Sequence, residues 1–163
     1  MLGLDAAGKS TILRNLCHRS RQHVKNLLNI EFLEHGKTKF TTWDLSGPRT
    51  LRILAASHYL VAQALVFVID SSDPNRLDEA NEELQRLLNI EALRGAPLLV
   101  WANNSDLPNA MPIVEIVGKL GLNGLRMRNW NILRCCAQSG EGLKEGVEWL
   151  QSFSTGAKVV KLS

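Results

Sequence analysis

The run Gly3-Leu4-Asp5-Ala6-Ala7-Gly8-Lys9-Ser10, almost at the start of the chain, constrains the fold more than any other stretch. It fits GxxxxGK[ST], in which backbone N–H groups wrap phosphates and a following helix points its positive end at them. Gly3 and Gly8 permit the wrap. Lys9 would reach the outer phosphates as a point charge, and the Ser10 hydroxyl would supply one oxygen ligand to a Mg²⁺ that bridges them. Taken alone the run indicates a nucleotide-phosphate site. The bland alternative, a glycine-rich turn, weakens as further motifs follow in order.

Downstream, apolar runs rich in β-branched residues alternate with segments of helical period, the rhythm of an α/β fold. Ser10 to His18 reads as a first helix. Asn29 to Glu34 and Thr38 to Leu45 read as two strands joined by a turn at His35, Gly36 and Lys37, an antiparallel edge hairpin. Ala64 to Asp70 and Pro97 to Ala102 are continuous apolar runs, as expected of parallel strands buried on both sides, and Trp130 to Ala137 is a weaker third. Leu77, Ala80, Leu84, Leu87 and Leu88 lie at helical spacing, as do Leu143, Val147, Leu150 and Phe153. These stripes predict core-facing helices on both faces of a mostly parallel sheet. Residues 1–154 read as one domain and 155–163 as a tail of little periodicity.

Composition agrees. A chain of 163 residues, 45% hydrophobic and 21% charged, suits one globular domain with a sizeable core. The formal charge of +3 mildly favours anionic partners but does not indicate nucleic acid. Cys17, Cys135 and Cys136 lack metal-ligand spacing and read as reduced thiols of a cytosolic protein. His18, His23, His35 and His58 form no metal motif. No apolar run approaches the ~20 residues of a membrane helix. Residue 2 is Leu2 rather than the Gly of a myristoylation signal. The basic run Arg14, His18, Arg19, Arg21, His23, Lys25 reads as a solvated face, with an acidic-membrane patch as the alternative.

Four motifs now stand in order: Leu4 through Leu13 (LDAAGKSTIL), Trp43-Asp44-Leu45-Ser46-Gly47, Asn103-Asn104-Ser105-Asp106-Leu107-Pro108-Asn109-Ala110, and Cys136-Ala137-Gln138-Ser139-Gly140-Glu141-Gly142-Leu143. Together they resemble the successive nucleotide motifs of ADP-ribosylation-factor-like (Arf-like) small GTPases and span nearly the whole chain. The resemblance implies a P-loop NTPase fold of the small-GTPase type that binds GTP and GDP with Mg²⁺. Gly3, Leu4, Asp5, Ala6, Ala7, Gly8, Lys9, Ser10 and Thr11 would then hold phosphates. Ser10 and Asp44 would hold the metal, Asp44 through a water, and the Gly47 amide would sense the γ-phosphate. Asn103 and Asp106 would meet the guanine, with Asp106 accepting two N–H bonds that adenine cannot offer, and the Ala137 N–H would contact the guanine carbonyl. Effector and exchange-factor proteins, roles in membrane traffic and a cytoplasmic location peripheral to intracellular membranes are implied in the same way.

Several positions depart from that pattern. Pro48 follows Gly47 where the family carries the Gln that orients the attacking water, and proline also stiffens the loop. Registered back from Asp44, the family's Pro-Thr-Ile-Gly-Phe-Asn switch run falls on Val24 to Asn29. That places Lys25, whose ammonium cannot ligate a cation, at the metal-binding threonine, with Ser20 as a less favoured substitute. Asn104 replaces a Lys that packs along the base. Leu28 and His58 stand where aromatic partners of Trp43 are expected, so effector choice should differ. These changes support a second reading, a pseudo-GTPase acting as a constitutive protein-binding module; an ATP-using P-loop enzyme is disfavoured by Asn103 and Asp106.

A loop of this kind emerges from a strand, yet only Met1 and Leu2 precede Gly3. In the family's sheet that strand is central. A strand of ~5–6 residues burying ~3–4 apolar side chains contributes about 5–10 kcal/mol, against ~5–15 kcal/mol for a whole domain. The expectation is a chain that begins inside a longer protein or is truncated, lacks the family's N-terminal membrane-binding helix, and is marginal or needs a donated strand.

Pro48 and Lys25 together predict negligible intrinsic GTP hydrolysis. Pro48→Gln should restore measurable phosphate release only when combined with Lys25→Thr, because water positioning and metal-coupled loop closure act as a unit. Single-turnover phosphate release at the rate of an ordinary small GTPase in the unmodified chain would contradict this.

Overall fold

The computed structural model describes residues 1–16 and 59–153 in full and, between them, the backbone of strands at 24–25, 29–35 and 38–44. Helix α1 spans Lys9–Leu16. Strands β1 (Val24–Lys25), β2 (Asn29–His35) and β3 (Thr38–Asp44) follow. After them come β4 (Leu65–Asp70), helix α2 (Leu77–Leu88), β5 (Leu98–Asn103), helix α3 (Ile113–Lys119), β6 (Trp130–Arg134) and helix α4 (Leu143–Gln151).

Strands β4, β5 and β6 form a parallel sheet in that order, with Leu65 opposite Leu98 and Leu98 opposite Trp130. Period-two alternation sorts the side chains of β4 and β5 between two cores. Leu65, Phe67, Ile69, Leu98, Val100 and Ala102 pack on one face with Leu77, Leu84 and Leu87 of α2 and Ile116 of α3. Val68, Leu99 and Trp101 pack on the other with Ile12 of α1 and Leu143 and Val147 of α4. Burial on both faces explains why these strands read as unbroken apolar runs, and the expected placement of helices on both sides of the sheet holds. Helix α3 has no counterpart among the expected elements, although Ile113, Ile116, Val117 and Leu120 carry helical spacing. The expected strand to Ala137 ends at Arg134, and of the expected first helix, Cys17 and His18 lie outside the described residues.

The hairpin is present, with Asn29 opposite Asp44 and His35 opposite Thr38. Rather than extending the parallel sheet, it forms a separate antiparallel sheet with β1, in which Lys25 pairs with Asn29. No ladder joins the two sheets among the described residues. Leu2 is the one N-terminal residue in strand pairing: it sits beside Phe67, donating to Val66 O at 2.8 Å and accepting from Val68 N at 2.8 Å. That bridge aims the following loop at the carboxyl ends of β4 and β5, where ligands of open α/β sheets bind.

Two glycines are set by close approach. Gly142, before α4, has φ of +74°, and a Cβ there would overlap the Arg134 carbonyl. Gly146 lies against the Trp101 indole, whose Nε1 donates to Gly142 O at 3.3 Å. Gly142→Ala should therefore lower stability by about 1–3 kcal/mol, read as an earlier thermal transition by circular dichroism; an unchanged midpoint would refute the overlap.

Candidate functional site

The segment from Gly3 to Gly8 leaves the Leu2 bridge and enters α1. Its curvature comes from three left-handed residues: Gly3 at φ +138°, Ala6 at +60° and Gly8 at +96°. Gly3 packs against the Val68 carbonyl and Gly8 against the Asn103 amide so closely that a Cβ at either would overlap them. Leu4 and Ala7 point inward and are buried, while Asp5 and Ala6 are exposed. The N–H groups of Ala6, Ala7 and Gly8 have no hydrogen-bond partner among the described residues. Consecutive unpaired amides in such a turn, next to a helix N-terminus, form an anion-binding concavity. Lys9 is only 4% exposed, and its Nζ crosses the loop to donate to Gly3 O at 3.1 Å and Leu4 O at 2.6 Å. Ser10 is exposed on the first turn of α1, and Thr11 is half-buried behind it.

Asn103 ends β5 and joins the motifs. Its Nδ2 donates to Ala7 O at 2.9 Å, and its Oδ1 accepts from Ala137 N at 2.9 Å and, weakly, from the Cys135 thiol at 3.7 Å. Its own carbonyl accepts from Ser71 N at 2.9 Å and Ser71 Oγ at 2.6 Å, tying in the end of β4. The Asn103 side chain thus works mainly as a structural clasp, with one amide hydrogen left for a ligand. The Ala137 N–H, expected on a guanine carbonyl, already has Asn103 Oδ1 as its acceptor, so a base would have to share it. Asp106 sits on the turn closed by Leu107 N and Asn104 O at 3.1 Å; its carboxylate is exposed and has no partner among the described residues. Asn104 adopts φ of +59°, a left-handed conformation that asparagine tolerates better than lysine. Asparagine at this position therefore suits the turn. Burial pushes the Cys135 thiol up to about 12, so it stays protonated and inert at neutral pH.

Two contacts carry no signal in the motifs. Asn15 of α1 donates from Nδ2 to Ala137 O and Gln138 O, both at 3.3 Å, linking the phosphate helix to the last loop. Arg76, just before α2, pairs with Asp5 at 2.6 Å. Its hydrogen bond, then its charge, hold the Asp5 carboxyl below the usual carboxylate range. A carboxyl lowered by folding stabilises above its unfolded value and loses that contribution as pH falls through its folded value; at this exposed site the effect is small. Between the loop and α2 lies a cavity of about 50 Å³ lined by Asp5, Asp70, Asp73, Arg76 and Leu77, far too small for a nucleotide.

Gly3 through Thr11, Asn103, Asp106 and Ala137 thus come together at one sheet edge. The backbone of Asp44 ends β3, but its side chain lies outside the described residues, as do Gly47, Pro48, Ser20, Leu28 and His58, the basic run beyond Arg14 apart from the Lys25 backbone, and the tail 155–163. Residues 1–153 match the ADP-ribosylation factor family. The chain belongs to that family. Among solved structures, it is similar to the Arl6 (BBS3) small GTPase of Trypanosoma brucei with the bound nucleotide analogue GppNp: the two are 33% identical, each is covered over 96% of its length, and the TM-score is 0.83. The Arf-like resemblance and the small-GTPase fold are thereby established, and the loops around Asn103 are those of an Arf-family small GTPase.

Asn103→Ala would strand the buried Ala7 carbonyl and Ala137 N–H at ~1–3 kcal/mol each, a loss of about 2–5 kcal/mol. Asn103→Asp should also destabilise, since it sets an oxygen against Ala7 O. Urea unfolding of either variant at the wild-type midpoint would exclude the clasp.

Proposed function

We propose that this Arf-family chain is a guanine-nucleotide switch domain of membrane-traffic type whose hydrolysis is impaired. The observation that carries this reading is the row of unpaired loop amides from Ala6 to Gly8, clasped by Asn103 to the segment bearing the unpartnered Asp106 carboxylate. One end offers donors to a phosphate chain. The other offers an anionic acceptor to adjacent N–H groups, which guanine has and adenine lacks.

The residues present fit a nucleotide: a Cβ at Gly3 or Gly8 would spoil the loop, and Lys9 spans its rim. Lys9 would exchange its carbonyl contacts for phosphate oxygens. Ser10 and Asp44 would hold Mg²⁺, which supplies charge neutralisation across the phosphates. Asn103 orders the loops, and Asp106 selects the base. Impaired hydrolysis follows from Pro48 at the water-positioning glutamine and Lys25 at the metal-binding threonine. Effector and exchange-factor partners, and a cytoplasmic, peripherally membrane-associated location, are part of the same proposal; among the described residues no helix is long and apolar enough to cross a membrane.

The second reading, a pseudo-GTPase acting as a constitutive protein-binding module, is favoured by Asn104, which removes the lysine stem from the base while relaxing the turn at φ +59°. Titrating GDP, GTP and ATP with and without Mg²⁺ separates the two. The switch reading expects GDP and GTP to bind and ATP to fail. Asp106→Asn should lower guanine affinity roughly a hundredfold and favour xanthine nucleotides, whose ring carbonyl accepts from the new amide. Equal binding of ATP and GTP would overturn base selection, and no binding of any nucleotide would favour the module.

A further inference from the structure

Arg76 belongs to none of the nucleotide motifs, yet among the described residues it reaches the phosphate loop with more bonds than any other side chain outside them. Its Nη2 meets Asp5 Oδ1 at 2.6 Å, its Nη1 donates to the main-chain oxygen of Asp5 at 3.1 Å, and its Nε is held by Glu79 Oε2 at 3.0 Å. Arg76 is the last residue of the turn Pro74–Arg76 and immediately precedes α2, and Asp73 caps that turn by accepting from Asn75 N at 3.2 Å. The guanidinium is therefore anchored on a rigid element and one-third exposed, with its planar fork committed in three directions.

The bond to the Asp5 carbonyl has a geometric consequence. In a trans peptide the C=O and the next N–H point in opposite directions. Drawing Asp5 O toward α2 turns the Ala6 N–H toward the other side of the loop, and that N–H has no protein partner among the described residues. Ala6 is also the non-glycine residue of the loop held at positive φ, +60°. An alanine in that region is disfavoured and persists only where its surroundings impose it.

We propose that Arg76 is a positioning residue for phosphate binding: it fixes the Asp5–Ala6 peptide so that the Ala6 amide presents its hydrogen to the nucleotide's phosphate chain. Arg76 touches no phosphate itself. This rests on the guanine-nucleotide reading above and adds a residue that acts on the ligand through the backbone.

The test uses the full chain loaded with fluorescently labelled GDP. Arg76→Gln should speed GDP dissociation about three- to tenfold, a range kept modest because the pair is exposed, and should shift the ³¹P resonance of the bound β-phosphate. Arg76→Lys keeps the charge without the fork and should shift the same resonance. Asp5→Asn leaves the carbonyl contact in place and should have a smaller effect than Arg76→Gln. Arg86→Gln is the control: it removes a doubly bonded pair with Glu83, at 2.9 Å for both bonds, within α2 and away from the loop. A dissociation rate for Arg76→Gln no faster than that of Arg86→Gln, or an unmoved β-phosphate resonance in Arg76→Lys, would overturn the proposal. Should wild-type chain bind no GDP at all, the proposed function falls and this inference with it.

Discussion

One amide side chain holds the site together. Asn103 lies at the end of a strand buried on both faces, 1% exposed, and its two polar atoms face the phosphate loop on one side and the 135–137 segment on the other. Such a group is costly to bury unless both ends are satisfied, so its partners are constrained as tightly as it is. The sheet delivers it there: the parallel register that sets Asp70 beside Asn103 and Ala102 beside Arg134 brings the ends of three strands to one edge. Loops that are distant in sequence become a single surface because of that register.

Much of this was legible in the residues. The parallel strands were readable because strands buried on both faces are nearly all apolar, and the hairpin because two strand-like runs stand on either side of a turn signal in the sequence at His35, Gly36 and Lys37. The phosphate loop was readable because glycine is needed where backbone meets backbone. What escaped detection depends on tertiary contact. Nothing in the spacing of Arg76 says that it will fold back on Asp5, and nothing in an Asn–Ala pair says that the amide of one will occupy the other's N–H. Among the described residues the hairpin and the parallel strands form two ladders, and Leu2 alone of the N-terminal residues pairs with β4. Asn104 looked like a simple loss until its positive φ showed a backbone reason for a short polar side chain.

The two cysteines beside the site show how environment divides like residues. Cys135 is fully enclosed, its thiol raised by burial and directed at Asn103 Oδ1, whereas neighbouring Cys136 sends its N–H to Glu141 O at 3.0 Å and accepts at its own carbonyl from Gly140 N at 2.8 Å. Cys135 thus belongs to the packing beneath the clasp, and Cys136 to the turn that shapes the loop above it.

The contact between Trp101 and Gly146 also limits how this sequence can drift. An added methyl at position 146 would lie 2.5 Å from the indole Nε1 and 2.7 Å from its six-membered ring, with the ring wedged between β5 and α4. Neither partner can change first without cost: a larger residue at 146 displaces the indole, and a smaller one at 101 opens a void beneath Gly146. Descendants of this chain should therefore exchange the two positions as a pair or keep both, a linkage that tethers variation in the last helix to the strand bearing Asn103.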